Sequence, residues 1–102
     1  MKIDHKISSD ELIIKLSGEL DEKSSGLVRM TLDSIIDSAQ VKRIRIDMSD
    51  LSFMDSTGIG ILIGRYKRLK PRGIPIILQS PRPSVDRVLV LSGIYNIMIK
   101  AG

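Results

Sequence analysis

The chain has no cysteine, a single histidine and only three aromatic residues, Phe53, Tyr66 and Tyr95. Without cysteine there is no disulfide framework, no thiolate metal site and no thiol nucleophile. His5 stands alone in an apparent edge strand, so no Ser-His-Asp set can be assembled around it. Three aromatics are few for a surface that stacks nucleic-acid bases. Apolar runs are only a few residues long, too short for a helix to cross a membrane. Met1-Lys2-Ile3-Asp4 lacks the apolar stretch of a signal peptide. The expectation is a cytoplasmic domain that is not an enzyme, with no cofactor and no metal ligands at recognisable spacing.

What is present is enough for one domain. The 102 residues are 42% hydrophobic, and a chain of this size buries roughly two-thirds of its unfolded surface. Charge is divided along the chain. Residues 1–51 carry 8 Lys+Arg and 10 Asp+Glu, residues 52–102 carry 8 and 2, and the total is +4. Five of the basic residues lie within Arg65–Arg72. That run reads as the solvated face and C-terminal end of a helix, where cations suit the dipole. A nucleic-acid surface made of Lys67, Arg68, Lys70 and Arg72 is the competing reading, and direct nucleic-acid binding is not expected.

Periodicity gives the order β-β-α-β-α-β-α-β. Ile3–Ile7 and Leu12–Leu16 form a hairpin, and Gly18-Glu19-Leu20-Asp21 breaks the second strand. A helix over 24–38 turns Leu27, Val28, Thr31, Leu32, Ile35 and Ile36 inward, with Ser24 or Asp21 as its cap. Ile44, Ile46 and Met48 alternate with Arg43, Arg45 and Asp47, so this strand has one wet face. A second helix begins near Ser56 with a core stripe of Ile59, Leu62, Ile63, Tyr66 and Leu69, and Pro71 and Gly73 end it. Ile74–Gln79 is a strand. Pro83 opens a third helix and Gly93 caps it, with Val85, Val88, Leu89 and Leu91 inward. Asn96–Ile99 is a last strand. The fold class is α/β, a small mostly parallel sheet with helices mainly on one face.

The turn Asp55-Ser56-Thr57-Gly58 holds the chemistry. Ser56 is placed at the helix N-cap, where its hydroxyl accepts a backbone N–H, a contribution of about 1 kcal/mol. The same position suits phosphorylation, since a phosphate meets the positive end of the helix and adds about −1.5 to −2 charge. Gly58, Gly60 and Gly64 match neither the dinucleotide fingerprint nor a P-loop. Gly60 and Gly64 leave a bare track beside Ser56, and Ile61 lies off the core stripe, an arrangement that suits a docking protein. The alternative is that these glycines let the helix approach its own sheet.

Leu16-Ser17-Gly18-Glu19-Leu20-Asp21, Asp50 through Gly60, Gly64-Arg65-Tyr66-Lys67 and the segment from Pro83 to Ile94 resemble the anti-sigma factor antagonist family, most closely its sporulation members. The resemblance spans nearly the whole chain. It implies a single STAS domain over residues 1–102, and a protein that captures an anti-sigma factor, itself a serine kinase using ATP and Mg²⁺, and so frees a sigma factor. The kinase would phosphorylate Ser56 and a PP2C-type phosphatase would reverse this. Asp21, Asp55, Ser56, Thr57, Gly58, Gly60 and Ile61 match the partner-binding positions. A scaffold subunit of a stress-signalling assembly is the alternative role, and a monomer or weak dimer is expected. Three departures stand out: the chain stops at Gly102, where a final helix is usual and is here absent or truncated; Arg45 replaces an apolar strand residue; and the second half is basic.

Overall fold

A computed structural model describes residues 1–102. Five strands and three helices follow in the expected order: β1 (Lys2–Ser8), β2 (Glu11–Leu20), α1 (Glu22–Ser38), β3 (Arg43–Met54), α2 (Ser56–Leu69), β4 (Ile76–Gln79), α3 (Pro83–Ser92) and β5 (Ile99–Ala101). The spatial order of the sheet is the chain order, β1-β2-β3-β4-β5. Only β1 and β2 pair antiparallel, because only they are joined by a two-residue turn. The other pairs are parallel, with a helix in each crossover.

One sheet face is dry. Leu12, Ile14 and Leu16 on β2 join Ile44, Ile46 and Met48 on β3 and Ile76 and Leu78 on β4, under the buried stripes of the three helices. The other face is wet. Glu11 lies beside Arg43, Ile13 beside Arg45 and Lys15 beside Asp47. Glu11 receives Arg43 Nε at 2.6 Å and Arg45 Nε at 2.8 Å, and Arg45 also reaches Gln79 at 3.2 Å. The two guanidiniums, Arg45 first, hold the Glu11 carboxyl below its usual range. Arg45 is thus accommodated in a central strand by partners on both sides.

Several boundaries differ from expectation. β2 and β3 run on to Leu20 and Met54, since register shifts after Lys15 and Gly18 let both strands pass the Gly-containing segment without losing their pairing. Leu27 is 63% exposed, because the stripe of α1 is narrow: Ser25, Val28, Leu32 and Ile36. Leu91 is 78% exposed, since Val85 and Leu89 already set the inward side of α3. The last strand moves to Ile99–Ala101 behind a 3₁₀ turn at Ile94–Asn96.

The stripe of α2 is also rotated. Gly58, Ile61, Leu62, Arg65 and Leu69 are buried, while Ile59, Ile63 and Tyr66 pack only partly. Arg65 therefore leaves the expected solvated run. Its Nε lies 2.9 Å from Asp33 Oδ1 on α1 but off-axis for a hydrogen bond, so the tie is ionic. Burial pulls the Arg65 pKa down, and Asp33 opposes that shift. Arg68 pairs with Asp37, and Arg72 donates to the carbonyl oxygens of Ile36 and Ala39 at the end of α1. Much of the basic run thus fastens α2 and the following turn to α1.

Candidate functional site

The site lies where β2 and β3 end together. Leu20 is in register with Met54, so the next residues, Asp21 and Asp55, stand at the ends of neighbouring parallel strands. Each caps the helix that follows. Asp21 Oδ1 accepts the Ser24 N–H at 3.0 Å, and Ser24 Oγ accepts the Asp21 N–H at 3.1 Å, a reciprocal capping box. Asp55 has extended backbone (φ −115°, ψ −167°), and its Oδ1 accepts the Thr57 N–H at 2.9 Å.

The cap of α2 is therefore Asp55 and not Ser56. Both residue types cap well, and the carboxylate holds the favourable charge for a helix start. Ser56 becomes the first helical residue. It is exposed, and its hydroxyl is free of any capping duty. Thr57 beside it is half-buried.

The three glycines of α2 divide into two kinds. A Cβ at Gly58 would stand 2.3 Å from Met54 Cγ and 3.2 Å from Leu20 Cδ2. Gly58 is the place where the helix rests on its own sheet, so it is not part of an outward surface. Gly60 and Gly64 have nothing within 4 Å of such a Cβ. Packing does not require them to be glycine, and they leave a bare track beyond Ser56. Ile61, expected off the core stripe, is fully buried and faces the core. The close approach at Gly58 turns Ile61 into the core, and its half-buried neighbour Ile59 stands nearer the surface.

Sequence reading passed over Phe53. It lies beside Glu19 at the end of β3 and is 45% exposed, two residues from Asp55. An aromatic residue in a strand ordinarily suggests core, so only its place opposite a charged residue could have signalled an outward position. No three His, Asp or Glu side chains converge as metal ligands, and no helix is long and apolar enough to cross a membrane. The exposed first turn of α2, flanked by two carboxylate caps and one aromatic ring, suits recognition by another protein.

Residues 2–101 match the STAS domain. The anti-sigma F factor antagonist of Paenibacillus polymyxa is 41% identical over 87 residues, which are 85% of this chain and 74% of that protein. The anti-sigma factor antagonist SpoIIAA in its unphosphorylated form is 30% identical with a TM-score of 0.82, covering 99% of this chain and 89% of its own. The phosphorylated form of the Bacillus cell fate determinant SpoIIAA is 29% identical with a TM-score of 0.73, covering 99% and 92%. On fold and sequence alike, the chain belongs to the STAS domain family and stands among its anti-sigma factor antagonists.

Proposed function

We propose that this chain captures an anti-sigma factor that is itself a serine kinase, and that phosphorylation of Ser56 ends the capture. The observation that carries the reading is the free, exposed hydroxyl of Ser56 at the first position of α2, with capping left to Asp55. The kinase would transfer the γ-phosphoryl group of ATP to Ser56 Oγ; the serine proton passes to a base of the kinase and ADP departs. Nucleotide and Mg²⁺ belong to that partner, and this chain is the phosphoryl acceptor. A PP2C-type phosphatase restores the hydroxyl by hydrolysis. The setting is the cytoplasm.

The switch works by charge on a fixed fold. Phosphate adds about −1.5 to −2 charge beside Asp55 and near Asp21, making an anionic cluster of a surface shaped for a neutral hydroxyl. The helix N-terminus compensates part of that charge within the chain, so the fold tolerates the group. That the STAS fold is shared with SpoIIAA in both its unphosphorylated and phosphorylated forms supports this reading. Asp21, Asp55, Thr57 and Gly60 form the contact surface. Phe53 and Ile59 add apolar area, taking the part first given to Ile61.

The test is intact mass after incubation with the anti-sigma kinase encoded beside this chain and ATP, run alongside Ser56→Ala. The expected result is one added phosphate on the native chain and none on the variant. Addition to both would move the acceptor to another hydroxyl, with Thr57 first. Addition to neither, with a kinase active on another substrate, would overturn the switch and favour a scaffold role.

A further inference from the structure

We propose that β1 is a homodimer seam, at which two copies of this chain pair their β1 strands antiparallel about His5 and join their sheets into one. This inference concerns the sheet edge and is independent of Ser56. β1 is the outer strand of the sheet, is bonded along one side only, and has six of its seven residues exposed. It contains no proline and no register shift, two of the devices that blunt an exposed edge, and its charges, Lys2, Asp4 and Lys6, are of mixed sign and can pair across a seam.

The backbone sets the phase of the seam. Ser8 and Glu11 flank a two-residue turn and face each other. In such a hairpin the flanking pair exchanges both hydrogen bonds, and bonded and unbonded pairs then alternate. Ser8, Lys6, Asp4 and Lys2 therefore spend their backbone groups on β2, while Ile7, His5 and Ile3 direct theirs outward.

The side chains select one register. Pairing about His5 sets Ile3 opposite Ile7, Asp4 opposite Lys6 and Lys2 opposite Ser8. The outward backbone groups of Ile3, His5 and Ile7 then bond to those of Ile7, His5 and Ile3 in the second copy. Asp4 and Lys6 fall at the unbonded positions, where opposing side chains come closest, and the ion pair forms twice by symmetry. Sliding to the nearest alternative registers sets Asp4 on Asp4 or Lys6 on Lys6, which like-charge repulsion disfavours.

The helix side completes the fit. Ile7, Leu27 and Met30 are 57%, 63% and 73% exposed. Leu27 and Met30 of α1 line, with Ile3, Thr31 and Ile35, a depression of about 380 Å³ beside β1. A two-fold axis through His5 brings this strip against its own copy, covering apolar surface on the side of the sheet that already holds the core.

Sedimentation equilibrium over a concentration series tests the seam. The native chain is expected to approach twice its 11.3 kDa mass. Asp4→Lys and Lys6→Asp, each alone, place like charges opposite each other and should weaken association about tenfold or more. An equimolar mixture of the two restores both ion pairs and should recover the dimer. Met30→Glu, an exposed change that leaves β1 intact, should weaken association as well, and circular dichroism confirms folding of each variant. A native chain that stays monomeric to about 1 mM would overturn the proposal. So would single charge variants that associate as the native chain does, or a mixture of folded variants that remains monomeric.

Discussion

At Gly58 one added methyl group decides how closely α2 lies on the sheet. Gly58→Ala must displace the buried Met54 side chain, with Leu20 close behind it, and should cost about 1–3 kcal/mol as overpacking does, read from the urea midpoint. Gly60→Ala is expected to do the opposite. Its methyl meets open space, so the variant should gain up to about 1 kcal/mol from helix propensity and, on the proposed docking role of the bare track, lose affinity for the anti-sigma partner. Two alanines two residues apart thus separate a packing glycine from a docking glycine. Phe53→Ala should leave stability within about 0.5 kcal/mol and weaken partner binding about tenfold or more, measured by calorimetry. Equal loss of stability and binding would return Phe53 to a structural role.

The elements show which parts of this architecture could be read in advance. The alternation of Ile44, Ile46 and Met48 with charged residues is a local pattern, and it gave both a strand and a wet face. The caps are harder. Asp21 and Ser24 both suit a helix start, as do Asp55 and Ser56, and local chemistry does not choose within either pair. In the first, Asp21 is the cap and Ser24 answers it. Asp21→Ala should remove about 1 kcal/mol of stability by opening that box, and recovery in Asp21→Asn would identify capping as the cause. The outward face of α2 was legible only in part, because Ile59, Ile61, Leu62 and Ile63 crowd one turn and several stripes satisfy the same period. The choice falls to packing on the sheet, Gly58 against Met54 and, distant in sequence, Leu20. Likewise, a register shift such as the one after Gly18 depends on the neighbouring strand and leaves no periodic trace in β2 alone.

Across the whole molecule the division of charge between the two halves of the chain disappears. Arg65 and Arg68 of the basic half meet Asp33 and Asp37 of the acidic half, and Arg72 closes the end of α1. Carboxylates of this kind make the fold sensitive to acid. The Glu11 pKa is lowered by Arg45 and Arg43, that of Asp37 by Arg68, and that of Asp86 by the Tyr95 hydroxyl and Lys100. Each folded value lies below its unfolded one, so the stabilisation is complete above the ordinary carboxylate range. It is lost as pH falls below about 4 through the folded values. Urea unfolding at a series of pH values should show stability rising with pH through that window, and Glu11→Gln should have a shallower slope. A slope unchanged in the variant would show that Glu11 is not a source. Stability is also uneven from place to place. The central strands are held by the core, whereas the opening turns of α2 contain Gly58 and Gly60, at which helix costs about 1 kcal/mol each relative to alanine, and Gly60 has no packing in return. On the proposed acceptor role of Ser56, opening of the first turn alone would offer the hydroxyl to a kinase cleft as extended chain, while Ile61 and Leu62 stay buried and the sheet stays whole.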